Sequence, residues 1–339
     1  MTDGRAPLLP RVHVLGTGGT MAHVAADRLD FVRYAERGAT IDVDETLRRL
    51  PEVERVARVA AEQFFRETPR RYLGPGEWPA LARRCTELLG DPEIAGIAIT
   101  HGSAFVEETA YFLGLTVKSV KPVVLTASQR PLGSLSTDAD VNLLDAVRVA
   151  AAAQSGGRGA LIVMNNEIHA AREATKSSTF RLDAFHPKDL GFLGYADSDG
   201  EVVFYRTVER RHTTETEFDA DALGALPRVD ILDVYAGADG ALVTAAVEGG
   251  AAGLVVAGAG AGSMPPSFVE AAVQAGARGV PVVVSSRTGN GRVLERGWME
   301  RQGLVLADNL TPQKARVLLM LGLTRTTDVR RLQRMYETY

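Results

Sequence analysis

Short apolar runs alternate with longer amphipathic stretches along almost the whole chain. The runs Val12–Leu15, Gly96–Thr100, Pro122–Thr126, Ala160–Met164, Val229–Val234, Gly253–Ala257 and Val280–Ser285 are short and mainly apolar, which predicts buried parallel strands. Between them, Pro75–Leu89, Glu107–Leu115, Asp140–Ala152, Pro266–Gly276 and Pro312–Leu323 carry apolar residues at helical spacing. The alternation predicts an α/β protein: a doubly wound, mainly parallel sheet in an N-terminal domain, with a second, smaller α/β C-terminal domain. Asp44 ahead of Glu45-Thr46-Leu47 predicts one helix start. Thr311-Pro312 predicts another, with a cap beside a first-turn proline, so the sequon Asn309-Leu310-Thr311 reads simply as the opening of that helix. Thr207–Pro227 breaks the pattern with the basic cluster Arg210-Arg211-His212 followed by an acidic stretch. It reads as a linker, dividing the chain into residues 1–206, 207–227 and 228–339.

A length of 339 residues is long for one compact core and agrees with two domains. The 34 glycines suit many tight strand-to-helix loops. A formal charge of −4 gives no reason to expect a nucleic-acid partner. No run approaches the roughly 20 apolar residues of a membrane span. Met1–Pro7 lacks a basic region followed by an apolar stretch and a cleavage site, so the expectation is a cytoplasmic protein. The lone Cys85 has no internal disulfide partner and reads as a small helix hydrophobe. The histidines at 13, 23, 101, 169, 186 and 212 include no His-x-x-x-His pair, so neither a metal nor an organic cofactor is expected.

Three places carry candidate chemistry. Gly16-Thr17-Gly18-Gly19-Thr20 follows the first strand, and ligand sites in open α/β sheets lie past the carboxyl ends of strands. Met21 stands where a dinucleotide fingerprint needs glycine, and there is no P-loop lysine. The loop is either a plain tight turn or a place where backbone N–H groups face an anion. His101-Gly102-Ser103 follows the second strand, with Glu107 and Glu108 entering a helix, where acidic groups favour the helix dipole. Ser103 is then a reactive hydroxyl or a helix N-cap. Lys176, within Ala174-Thr175-Lys176-Ser177-Ser178-Thr179, is a solvated loop lysine or a desolvated base.

Thr17-Gly18-Gly19-Thr20, Thr100–Leu113 and Lys121–Pro131, together with Glu62-Gln63, Val163-Met164-Asn165, Thr175-Lys176-Ser177, Gly194-Tyr195, Ser285-Ser286-Arg287 and Thr311–Arg316, resemble the bacterial L-asparaginase family in order and spacing over most of the chain. The resemblance implies an amidohydrolase in which the threonine matching Thr17 attacks a side-chain amide and forms an acyl-enzyme ester, with Thr20 beside the substrate. It implies that a tyrosine, closest by order to Tyr34, activates that threonine, and that Ser103 with Lys176 handles the proton or the attacking water. The family normally has threonine at Ser103. It further implies a small-molecule amide as the partner, Gln63 among the substrate contacts, and a homodimer or a homotetramer built from tight dimers.

The chain departs from the family pattern at the substrate contacts. Ala104 replaces an aspartate that holds the α-ammonium of asparagine, a charge-assisted contact typically worth about 1.5–3 kcal/mol. Phe105 replaces a threonine and predicts a bulkier, more apolar pocket. The serine that binds the α-carboxylate falls at Thr68 or Pro69. Gly258–Gly262 lacks the polar amide residue that reaches a neighbouring subunit's site. Arg66, Arg70 and Arg71 read either as a solvated loop or as a grip for an acidic substrate group. Two functions follow. The first is hydrolysis of a small amide other than free L-asparagine. The other is a non-hydrolytic ligand-binding or regulatory protein, or an enzyme with a changed outcome such as dehydration, transfer or lactam opening.

Overall fold

A computed structural model describes residues 8–68 and 71–339, with the backbone alone at Lys188. The chain forms two compact units. Of the described residues, the first comprises those up to Pro187 with Gly191–Glu209 and Thr213–Glu215, and the second Lys188–Leu190, Arg210–His212 and Thr216–Tyr339.

The first unit is built on an eight-stranded sheet: β1 (Arg11–Gly16), β2 (Arg58–Gln63), β3 (Ile94–Thr100), β4 (Val123–Thr126), β5 (Ala160–Met164), β6 (Glu167–Ala170), β7 (Gly194–Ala196) and β8 (Val202–Phe204). Their order across the sheet is β8-β7-β6-β5-β4-β3-β1-β2. The five strands β1–β5 pair in parallel, while β6, β7 and β8 extend the sheet as antiparallel ladders. Alternate residues of β3 go to opposite faces. Ala98 joins a core with Val12, Val14, Val124 and Leu161, where the helix Ala139–Ala151 lays down Leu143, Ala146, Val147 and Ala150. Its apolar positions recur at i, i+3, i+4 and i+7, the stripe a core-facing helix needs. Ile97 and Ile99 are equally buried on the other side. The helices Trp78–Leu89 and Val106–Thr116 bury their own apolar positions, Leu81, Ala82 and Cys85 among them. Cys85 therefore packs as a small hydrophobe, and burial pushes its thiol up to about 12.

Four of the strands were not legible as apolar runs, because β2, β6, β7 and β8 are short, polar or only partly buried. One helix start is corrected: the helix spans Val43–Arg48, with Asp42 rather than Asp44 at the cap position. The Asp42 carboxylate makes no cap bond and takes the Arg66 guanidinium instead, while Asp44 and Glu45 lie in the first turn.

The second unit has a four-stranded parallel sheet, β9 (Val229–Asp233), β10 (Gly253–Gly258), β11 (Val282–Ser286) and β12 (Val305–Leu306), in that spatial order. Its core includes Leu254, Val256, Val282 and Val284 under Val243, Phe268 and Ala272. Thr311 does cap the helix Pro312–Leu323, accepting from Lys314 N at 3.5 Å. A final helix, Val329–Thr338, was not anticipated. Among the described residues, no helix is long and apolar enough to cross a membrane.

Candidate active site

The register of the parallel strands brings their carboxyl ends to one line. Gly16 stands opposite both Gln63 and Thr100, and Thr100 opposite Thr126. The chain leaves β1 to form β2 on one side, then returns to build β3, β4 and β5 on the other. This reversal of strand order is where open α/β sheets leave a crevice for ligands.

Two turns meet in that crevice. Gly18 and Gly19, at φ 99° and 84°, turn the chain back after β1 in a left-handed conformation that glycine adopts without steric cost. A Cβ on Gly19 would lie 2.5 Å from both Gly102 N and His101 O, so the close approach of the two turns requires glycine. The turns deliver different hydroxyls. Thr17 is 1 % exposed, and both its backbone N–H and its hydroxyl donate to Thr100 O, at 3.1 and 2.6 Å. Thr20, past the reversal, is partly exposed and its hydroxyl lies 2.9 Å from Tyr34 Oη. Tyr34 opens a single helical turn, Tyr34–Arg37, on an arm closed by the antiparallel pairing of His23–Val24 with Ala39–Thr40. Bonds from Leu132 N to His23 O and from Ala25 N to Leu132 O anchor the arm. Of the two threonines, it is thus Thr20 that the structure brings to Tyr34.

The second turn is held from behind. His101 Nδ1 lies 2.9 Å from Gly102 O and Nε2 lies 3.0 Å from Thr109 Oγ1, which also accepts from Trp78 Nε1 at 3.0 Å. A carbonyl only accepts, so Nδ1 carries the proton and Nε2 accepts from the Thr109 hydroxyl. Burial lowers the His101 pKa to about 4 and keeps the ring neutral.

Ser103 is not a helix cap. The helix begins at Val106 with Phe105 in the cap position, and Ser103 Oγ instead accepts from Lys176 Nζ at 3.0 Å. Lys176 Nζ also donates to Gln129 Oε1 at 2.8 Å. Glu107 fixes the strand carrying Lys176, accepting from Lys176 N at 3.2 Å and from Thr175 Oγ1 at 3.0 Å. Burial lowers the Lys176 pKa, and the charges of Asp138 and Glu107 oppose that fall. The buried Asp138 carboxylate accepts from Gln129 N, Arg130 N and Asn142 Nδ2, orienting the segment that presents Gln129. Sequence reasoning missed Gln129, Asp138 and this role of Glu107. The strand-end rule could have found Gln129, three residues past Thr126; Asp138 looks like an ordinary helix cap.

Other expectations change. Gln63 is a backbone tie rather than a free substrate contact: Oε1 accepts from Val43 N at 2.8 Å, and Nε2 donates to Gly16 O and Phe65 O at 3.2 and 2.6 Å. Thr68 is exposed and closes a tight turn, its N–H and C=O exchanging bonds with Arg71, while Pro69 and Arg70 lie outside the described residues. Ala104 is exposed, and Phe105 is 41 % exposed against the Tyr72 ring rather than filling an enclosed pocket. Arg66 pairs with Asp42 and Arg71 with Glu77, so neither is an idle grip for an acid. Among the described residues, no group of three or more His, Cys, Asp or Glu is placed to hold a metal ion.

Comparison with known proteins agrees with this arrangement. Residues 11–210 match the family model described as asparaginase, N-terminal, and residues 228–336 match the glutaminase/asparaginase C-terminal domain. The L-asparaginase 2 of Bacillus subtilis (strain 168) is 38% identical over 98% of this chain and 87% of its own length. The L-asparaginase 2 of Escherichia coli (strain K12) is 36% identical over 99% and 95%, and the glutaminase-asparaginase of Pseudomonas fluorescens biotype A is 34% identical over 98% and 91%. The crystal structure of a probable cytoplasmic L-asparaginase from Campylobacter jejuni superposes with a TM-score of 0.92 at 37% identity, covering 97% of this chain and 100% of that one. With its strand-end hydroxyls, its half-buried lysine and both halves of the chain matched, the protein belongs to the asparaginase/glutaminase family of amidohydrolases, enzymes acting on linear carboxamides.

Proposed function

We propose that the protein hydrolyses a small carboxamide other than free L-asparagine, through an acyl-enzyme formed on a threonine, and that this threonine is Thr20 rather than Thr17. The carrying observation is the 2.9 Å contact between the Thr20 hydroxyl and Tyr34 Oη. A nucleophilic hydroxyl needs access to substrate and a partner for its proton. Thr17 is buried with its proton directed at Thr100 O, whereas Thr20 has both. In the first step, Thr20 Oγ bonds to the amide carbon as its proton passes to Tyr34 Oη, and the phenol gives its own proton to the amide nitrogen. The C–N bond then breaks and ammonia leaves carrying that proton. In the second, Ser103 and Lys176 take a proton from water as it attacks the ester carbonyl; the ester C–O bond then breaks, Thr20 Oγ takes that proton back, and the acid is released. Lys176 suits that role because burial favours its neutral form. The exposed Ala104 offers no charge to the α-ammonium of a free amino acid, which supports a substrate that lacks a free α-amino acid end.

Ammonia release from L-asparagine, capped amides and short-chain amides tests this, with Thr20→Ala and Thr17→Val compared on the best substrate. Thr20→Ala should lower kcat by about a thousandfold or more, and Thr17→Val far less. A trapped acyl group should appear on Thr20. Cleavage at Arg11 and Arg28 leaves both threonines on one peptide, so fragment ions must place it. Retention of most activity by Thr20→Ala, or an acyl group on Thr17, overturns the assignment. Turnover of L-asparagine at about 10⁴ M⁻¹s⁻¹ or above overturns the substrate class.

A further inference from the structure

Glu67 lies four residues past the end of β2 and is partly buried. Its Oε2 accepts from Gly19 N at 2.8 Å. A Cβ on Gly18 would lie 2.6 Å from Glu67 Cβ, and a Cβ on Gly102 would lie 3.3 Å from Glu67 Oε2. The carboxyl group therefore sits over the seam between the turn that carries Thr20 and the turn that carries Ser103. A backbone N–H exposed by a glycine turn at a strand end is a natural anion seat. Here the protein's own side chain occupies it. Arg66 and Arg71, the nearest described arginines in sequence, are paired with Asp42 and Glu77, and no described cation pairs with Glu67. Burial raises the Glu67 pKa, while the Gly19 N–H bond acts in the opposite direction and favours the anion.

We propose that Glu67 selects substrate by charge: it fills the Gly19 N–H seat beside Thr20, so that the site takes carboxamides whose neighbouring group is neutral or cationic and rejects those bearing a carboxylate there. This rests on the reading that Thr20 and Ser103 flank the reacting amide. Together with Ala104, it inverts the charge pattern a free amino acid needs. The place of an anion is already taken by one, and the exposed alanine leaves a cation to be met from the Glu67 side.

Three short amides of similar size separate the cases: succinamate is anionic, succinamide neutral and 4-aminobutanamide cationic. Two like charges a few ångström apart near a protein surface repel strongly enough to change affinity by at least about tenfold. For the wild type, the ratio of kcat/KM for succinamide over succinamate should therefore be about ten or more, with 4-aminobutanamide preferred over succinamate as well. Glu67→Gln keeps an acceptor for Gly19 N–H and removes the charge, so that ratio should fall at least about tenfold, mainly through KM for succinamate. A wild-type ratio near one, which needs no variant to read, overturns the proposal. So does an unchanged ratio in a folded Glu67→Gln protein. Calorimetric binding of the same amides to Thr20→Ala separates this from the proposed reaction. Selective binding there that depends on Glu67 supports the charge filter even if the acyl-enzyme assignment fails. Equal binding of all three, or of none, refutes it.

Discussion

Thr109→Val should destabilise the first unit by roughly 2–5 kcal/mol while changing its shape very little. Thr109 is fully buried, and its hydroxyl is the hydrogen-bond partner, among the described residues, of two buried groups, Trp78 Nε1–H and His101 Nε2, each at 3.0 Å. Valine fills nearly the same volume but neither donates nor accepts. It leaves an indole N–H and an imidazole nitrogen without partners, each costing about 1–3 kcal/mol. Thr109→Ser is the control. It keeps the hydroxyl and loses one buried methyl, worth about 1 kcal/mol. The two tryptophans make the assay local, since Trp78 lies in the first unit and Trp298 in the second. In a Trp298→Phe background, urea unfolding followed by fluorescence reports on the unit that holds the site. The expected order of stability is wild type, then Thr109→Ser, then Thr109→Val. Activity should fall in the same order, because the His101-Gly102 turn places Ser103. A cost for Thr109→Val below about 1 kcal/mol, or one no larger than for Thr109→Ser, would refute the deduced hydrogen-bond chain and the tautomer with it.

The same histidine gives a pH dependence. His101 titrates near its ordinary 6.5 when unfolded and at about 4 when folded, so the unfolded state binds the extra proton between those values. Stability from this group is complete above pH 6.5 and is lost as the pH falls towards 4, by about 3 kcal/mol over the whole window. Urea midpoints at pH 7 and pH 5, compared with those of His101→Gln, should show a steeper fall in the wild type; equal slopes count against it. Ser103→Ala and Lys176→Met should each cause a large loss of kcat, and the double variant should lose far less than the product of the two, because the 3.0 Å bond makes them one unit. Independent, multiplicative losses in the steady-state rates would show that they act separately.

Much of this protein could be read from its sequence. Most of the parallel strands were legible because a strand buried on both faces is largely apolar, as Ala160–Met164 is throughout. The glycine turn, Ser103 and Lys176 were legible because strand ends in such sheets are where ligands bind and because their spacing resembles one family. The antiparallel edge was not, since β7 and β8 are three residues each and carry little pattern.

The sequence determined the fold class, the family and the set of hydroxyl and lysine groups gathered at the strand ends. Only the tertiary structure decided how those groups are used. Thr17 and Thr20 look alike on paper, yet two left-handed glycines between them send one hydroxyl into the sheet against Thr100 O and the other out to Tyr34. Gln63 reads as a contact for substrate and is a brace for backbone. Glu67 reads as one more charge in a polar loop and lies on the anion seat beside Thr20. The physical reason is common to all three. A polar group acts through the partner it finds, and partners such as Thr100 O, Val43 N and Gly19 N reach it by chain reversal and strand register, which no local stretch of sequence records.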